Sequence, residues 1–149
     1  MLRNLLVTLC VMFCGLVYST DVLAQQKAEE HKTGTASFYH SKFEGRKTAT
    51  GEIFDNQLYT CASNHYTMGT YLKVTNIANK KVIYVKVNDR MGHPGRVVDL
   101  TERAARDLGF HSRGITKVKI ETVPSHEGKS KVLAQMDGSS AGGQKANEL

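Results

Sequence analysis

The chain has no tryptophan, two prolines and three cysteines among its 149 residues. Without tryptophan, any platform for stacking a sugar or a base must be built from tyrosine and phenylalanine. Cys10 and Cys14 fall in an N-terminal apolar run. Once that run is removed Cys61 stands alone, which excludes an intramolecular disulfide framework. The histidines are scattered and no Cys/His group has zinc spacing, so neither a metal nor a cofactor is expected. Long apolar runs are also missing. The one uncharged stretch, Leu5 to Tyr18, falls short of the roughly 20 residues a membrane-spanning helix needs.

That stretch reads instead as a targeting signal. Arg3 supplies a positive start, and Val22-Leu23-Ala24 offers a peptidase site, so residues 1–24 are expected to be a signal peptide cleaved after Ala24. Met12-Phe13 are too large for a lipoprotein signal ahead of Cys14, so the mature protein is expected to be exported to the periplasm or cell envelope, unlipidated and without a stable membrane anchor. The formal net charge is +6. It survives processing, because Arg3 and Asp21 leave together. In an exported protein such an excess points to anionic polymers of the cell surface and away from nucleic acid, although a generic solubilising charge gives the same sum.

The remaining chain divides by composition. Residues 25–32 (QQKAEEHK) read as a polar linker, 33–123 as one folded domain, and 124–149 as a disordered polar tail. Within the domain, Gly34 to Tyr39 forms a first strand. Tyr71 to Ile77 and Lys81 to Asn88 alternate as a hairpin, and Thr116 to Val123 alternates as a last strand. Arg96 to Val98 is a short strand. Leu100, Ala104, Ala105 and Leu108 share one face of a helix of about two turns, with Thr101 as N-cap and Gly109 closing it. Several short strands, one short helix and long glycine-containing loops predict a mostly β fold, a small barrel with an accessory helix.

The stretch from Lys81 to Gly109 organises the rest. Its strand runs into Asn88-Asp89-Arg90, which places a carboxylate and a guanidinium where a rigid element meets solvent. Asp89 and Arg90 either serve a site or only tie down the turn that follows. Asp99 is read as fixing a turn. The loop His40 to Asp55 is long for a compact domain and has the character of a functional one. In it Glu52 precedes Ile53-Phe54, and an apolar flank would raise its pKa toward that of a general acid, unless it is an ordinary surface glutamate. Asn64 and His65, in the mixed segment 57–68, can orient a polar substrate or simply be surface residues. Cys61 reads as a buried small hydrophobe.

Taken together, Gly34–Tyr39, Gly45-Arg46-Lys47-Thr48-Ala49-Thr50-Gly51-Glu52, Gly69-Thr70, Val74-Thr75-Asn76, Val87–Arg90, Val98-Asp99-Leu100 and Ala104-Ala105 resemble, in order, the motifs of the rare lipoprotein A (RlpA) family. The resemblance implies a six-stranded double-psi β-barrel with one or two short helices, the fold shared with expansins. It also implies action on peptidoglycan glycan strands, with a preference for strands lacking stem peptides. Glu52 matches the family's glutamate after Thr-Ala-x-Gly, and Asp89 the aspartate of Asn-Asp-Arg. His65 is offset from the family histidine, with Asn64 at the aligned place. Residues 124–149 are too few and too polar for the family's C-terminal SPOR domain, and neither it nor the lipid-anchoring cysteine is expected here.

What this implies is endolytic transglycosylation. A carboxylic acid protonates the glycosidic oxygen and the muramic 6-hydroxyl attacks, leaving a 1,6-anhydro end, so no second carboxylate is needed to activate water. Asp89 is the expected acid/base, with Glu52 sharing its proton; Arg90, His65, Asn64 and Tyr39 are the expected substrate-binding groups. The protein is expected to be a monomer that can also meet cell-division or wall-amidase machinery. Two alternatives stay open: an expansin-like module that binds and loosens peptidoglycan without cleaving it, and an exported adaptor whose basic surface binds a division partner.

Overall fold

A computed structural model describes residues 31–144, with side chains to residue 138. The expected signal peptide and most of the expected linker lie outside the described residues. The strands are β1 (His31–Phe38), β2 (Thr60–Ala62), β3 (Tyr71–Asn76), β4 (Val82–Asp89), β5 (Val98–Leu100) and β6 (Thr116–Val123). Two α-helices accompany them, α1 (Glu102–Asp107) and α2 (Ser125–Gln144). The strands close into one barrel in the order β1-β5-β2-β4-β3-β6. Two parallel pairs, β1 with β5 and β2 with β4, are interleaved with antiparallel pairs, the mixed six-stranded closure of a double-psi barrel.

Alternation builds this barrel. Leu72 and Val74 of β3, Ile83, Val85 and Val87 of β4, and Val118 and Ile120 of β6 point inward and are at most 2% exposed. Their neighbours Lys73, Tyr84, Lys86 and Lys119 point outward. Cys61, Val98 and Leu100 complete the core from the short strands, and α1 closes it with Ala104, Ala105 and Leu108 packed beside Phe110. Each large aliphatic side chain removed from water contributes about 1.5–3 kcal/mol, which is what holds a barrel without disulfides together.

Three expectations change. His31 and Lys32, expected in the linker, belong to β1 and pair with Glu121 and Ile120 of β6. Thr101 sits at the N-cap of α1, but its hydroxyl donates to the Leu58 carbonyl; the Glu102 N–H is taken instead by Asn56 Oδ1 at 3.0 Å. The expected disordered tail begins with a helix of 20 residues laid on β3 and β4. Composition hid it, because polar residues and glycines interrupt its apolar face. That face consists of Gly128, Val132 and Met136, four residues apart, with Gln135 beside them. At Gly128 a Cβ would stand 2.1 Å from the Cβ of Tyr71, so only glycine lets the helix lie this close to β3. Gln135 then does what β2 is too short to do. Its amide accepts from the Tyr84 N–H at 2.7 Å and donates to the Tyr84 carbonyl at 2.9 Å, which satisfies the β4 edge.

Candidate active site

β4 ends beside a cleft of about 500 Å³. Its walls come from the end of β1 (Phe38, Tyr39), the following loop (His40, Lys42, Phe43, Arg46, Lys47, Phe54), the turn Asp89 to Gly92, and Arg96 with Asp99. The loop is not irregular. It folds into a small hairpin with Lys47 bridged to Ile53, and Gly51 takes the turn at φ +86°, a conformation that side chains with a Cβ resist. This hairpin lies across the end of β4, with Thr50 N–H on the Asn88 carbonyl.

The hairpin is the reason Asp89 is fixed. Oδ1 accepts from two backbone N–H groups, Ala49 at 2.9 Å and its own neighbour Arg90 at 2.8 Å. Oδ2 accepts from the Tyr39 hydroxyl at 2.7 Å. Among the described residues every hydrogen bond to the carboxylate therefore comes from a donor, and Oδ2 is the oxygen whose partner is a side-chain hydroxyl. Burial and Asp89 itself push the Tyr39 phenol well above its ordinary range, so Tyr39 keeps its proton. Tyr39 also stacks at a tilt on Phe54, 4.4 Å between ring centres, and meets Phe43 edge-on at 5.7 Å. These three rings form an aromatic wall of the cleft. Lys42 and Arg46 lie over Phe43 at 5.4 and 5.3 Å.

Glu52 stands elsewhere. It is exposed and does not line the cleft. Oε1 pairs with Lys86 Nζ at 2.6 Å and Oε2 accepts from Asn88 Nδ2 at 2.8 Å. These two partners outweigh the modest burial and hold its pKa below the ordinary glutamate value. The expected desolvation therefore has the opposite outcome: Glu52 is an anchored carboxylate that ties the hairpin to β4.

The remaining expected residues divide. Arg90 lines the cleft, but its guanidinium Nη1 donates to the Ser63 and Tyr66 carbonyls and so clamps the segment after β2; only its backbone N–H reaches the Asp89 carboxylate. Asn64 forms a reciprocal pair with the Met91 backbone, 2.7 Å to its carbonyl and 3.2 Å from its N–H, and so holds the turn after Asp89. His65 lies on the far side of that clamp, in a second hollow with His31, Lys32, Tyr66 and Thr122. It does not meet Asp89 in the first cleft.

Sequence reasoning missed two features. Ser63 is a buried hub. Its N–H donates to the Asp89 carbonyl, and its hydroxyl donates to the Val97 carbonyl and accepts from the His65 N–H. Asp99, expected as a turn residue, belongs to β5 and lines the cleft as a buried carboxylate gripped by Arg96, with Nε 2.7 Å from Oδ1 and Nη2 2.8 Å from Oδ2. The spacing Arg96-x-x-Asp99 carried that signal, because across a bend the two reach each other. Cys61 is buried as expected, and burial pushes its thiol up, away from reactivity. Among the described residues no group of His, Cys, Asp and Glu is arranged to hold a metal ion.

The closed mixed barrel, with a strand-end carboxylate held beside an aromatic wall, defines the class: a double-psi β-barrel with a polar cleft. Residues 31–120 match the model of the family described as lytic transglycolase, and the chain belongs to that family, in its RlpA-type branch. It is 38% identical over 110 residues to the endolytic peptidoglycan transglycosylase RlpA of Pasteurella multocida, covering 73% of this chain and 37% of that protein. It is 42% identical over 99 residues to the protein of that name from Neisseria meningitidis serogroup A, covering 66% and 41%. The chain thus spans less than half the length of these relatives. Two solved structures share the fold. The Streptomyces papain inhibitor has a TM-score of 0.53 at 21% identity, covering 64% of this chain and 96% of that one. A mutant of the Clavibacter michiganensis expansin, in complex with cellohexaose, has a TM-score of 0.53 at 24% identity, covering 64% and 51%.

Proposed function

We propose that this protein is an endolytic peptidoglycan lytic transglycosylase of the cell envelope, working in the Asp89 cleft on glycan strands stripped of stem peptides. The observation that carries the reading is the fixed carboxylate of Asp89, with Oδ1 saturated by two backbone N–H groups and Oδ2 left on the Tyr39 hydroxyl beside the cleft. The relatives' name supports the reaction class. Oδ2 exchanges the proton: it delivers one to the glycosidic oxygen and takes one from the muramic 6-hydroxyl as that oxygen closes on the anomeric carbon. One carboxylate serves both halves, so Glu52 need not share the cleft. The Tyr39–Phe43–Phe54 wall supplies a surface against which a sugar ring packs. Arg90, Asn64 and Ser63 keep the Asp89 turn and the segment after β2 in one geometry, which is how residues outside the chemistry support it.

The test is product analysis. Amidase-treated and untreated peptidoglycan are digested with the protein, and 1,6-anhydromuramic ends are counted by mass spectrometry. Release from treated wall that disappears in Asp89→Asn supports the reading; no anhydro ends from either wall refutes it. A second reading is a module that binds and loosens glycan without cleaving it. It is favoured by the all-donor surroundings of Asp89, which suit a permanent acceptor, and it predicts sedimentation with wall but no new ends. Export and the expected cleavage after Ala24 belong to this proposal, because peptidoglycan lies outside the cytoplasm.

A further inference from the structure

The cleft carries more positive than negative side chains, yet most of its cations are committed. Arg90 is spent on two backbone carbonyls. Lys42 and Arg46 lie over the Phe43 ring. Arg96 differs from these. Nη2 donates a hydrogen bond to Asp99 Oδ2, Nε lies in ion-pair contact with Oδ1, and among the described residues no partner takes Nη1. The side chain of Asp99 is 11% exposed and that of Arg96 28%, so the pair spans from barrel wall to cleft. An ion pair this far out of water is a poor device for stability, since apolar residues of similar volume do as well or better. What it does well is hold a guanidinium rigid, with one edge bonded and the other edge presented.

We infer that Arg96, oriented by Asp99, is the residue that selects substrates bearing a free carboxylate on the sugar. The inference rests on the proposed glycan substrate, and it gives that preference a physical origin. Muramic acid without its stem peptide exposes the lactyl carboxylate, a planar acceptor of the kind that a held guanidinium edge recognises. With the peptide attached, that carboxylate is an uncharged amide, and the attraction is lost. Asp99 is the positioning residue, because it acts through Arg96. Lys47 lines the same cleft and adds to the field without the fixed geometry.

The experiment compares two probes over short incubations: denuded glycan strands, and the same strands with their carboxylates converted to neutral amides by carbodiimide coupling to ethanolamine. Bound and free strand are separated and measured for the full chain and for Arg96→Gln, Arg96→Lys and Asp99→Asn. The full chain is expected to hold the charged strands about tenfold more tightly, the size of one charge-assisted hydrogen bond. Arg96→Gln should bind both probes at the weaker level. Arg96→Lys, which keeps charge and loses the fork, should retain only part of the preference, and it decides the matter if the glutamine variant does not fold. Asp99→Asn should narrow the ratio between the two probes, whereas a merely structural loss would weaken both alike and leave the ratio unchanged. Equal binding of the two probes by the full chain, or an unaltered preference in either Arg96 variant, overturns the inference. Preference without anhydro ends leaves it standing and refutes cleavage, so the two failures are separable.

Discussion

At the scale of single residues, the site is a set of acceptors and donors whose partners decide their roles. Asp89 and Glu52 are both carboxylates near the end of β4, and the sequence reading has them share one proton. Their environments separate them. Asp89 receives two backbone amides and a phenol beside the cleft, whereas Glu52 receives an ammonium and an amide outside it. Asp89→Asn is therefore expected to lower kcat at least about a hundredfold, the usual weight of a general acid or base. Tyr39→Phe should lower kcat about tenfold with little change in KM, as the loss of one hydrogen bond to a charged group implies. Steady-state release of anhydro ends measures both, and near-wild-type kcat in Asp89→Asn removes Asp89 from the chemistry. Glu52 makes a different prediction. Folding lowers its pKa below the ordinary 4.5. Its contribution to stability is thus present above that value and fades as pH falls through the lowered folded value. Glu52→Gln should be less stable than wild type by under about 1 kcal/mol near pH 7, given how exposed the pair is, and the gap should close at acid pH and in high salt. Urea titrations at several pH values read this directly; a gap that widens on acidification refutes it. Asp89, Glu52 and Tyr39 are legible by resemblance, but the separation of Glu52 is not. It depends on where a hairpin folds, and on Asn88 and Lys86 both reaching the Glu52 carboxylate from the end of β4.

At the scale of elements, legibility follows length and period. β3, β4 and β6 alternate over six to eight residues and declare themselves. β2 has three residues, all buried, and so short a run carries no period; in the sequence it is only part of a mixed segment. Yet β2 is the strand that sets Ser63 beside the Asp89 backbone. The second helix is illegible for another reason. Its contact face rests on a glycine, a valine, a glutamine and a methionine, and its energetic role is partly to satisfy a strand edge, which no hydrophobic pattern reports. Gln135→Ala should therefore cost about 1–3 kcal/mol, because it leaves both the N–H and the carbonyl of Tyr84 without their partner. Gly128→Val should do at least as much by driving a side chain into Tyr71. Chemical denaturation measures each. If both substitutions are neutral, the helix is not bound to the barrel as described.

For the whole molecule, composition and order speak correctly about class: few cysteines, a core-held barrel, and motifs in family sequence. They are silent on how charge is distributed. The net +6 is not uniform. Lys73 and Lys119 both pair with Glu121 on the barrel wall, and Lys86 pairs with Glu52, whereas Lys47 and the open edge of Arg96 face the cleft. Two consequences separate under salt. Fold stability comes from an uncharged core, so the melting temperature should move little between about 0.1 M and 1 M sodium chloride. Attraction to a polyanionic wall acts across water, where the screening length falls from about 10 Å to about 3 Å over that range. Retention on denuded sacculi should drop severalfold as salt rises, and more steeply for wild type than for Arg96→Gln, whose fixed donor is gone. Sedimentation at graded salt measures it. If retention is insensitive to salt while melting shifts, the excess charge stabilises the fold instead of reaching for a partner, and the basic cleft loses its meaning as a binding surface.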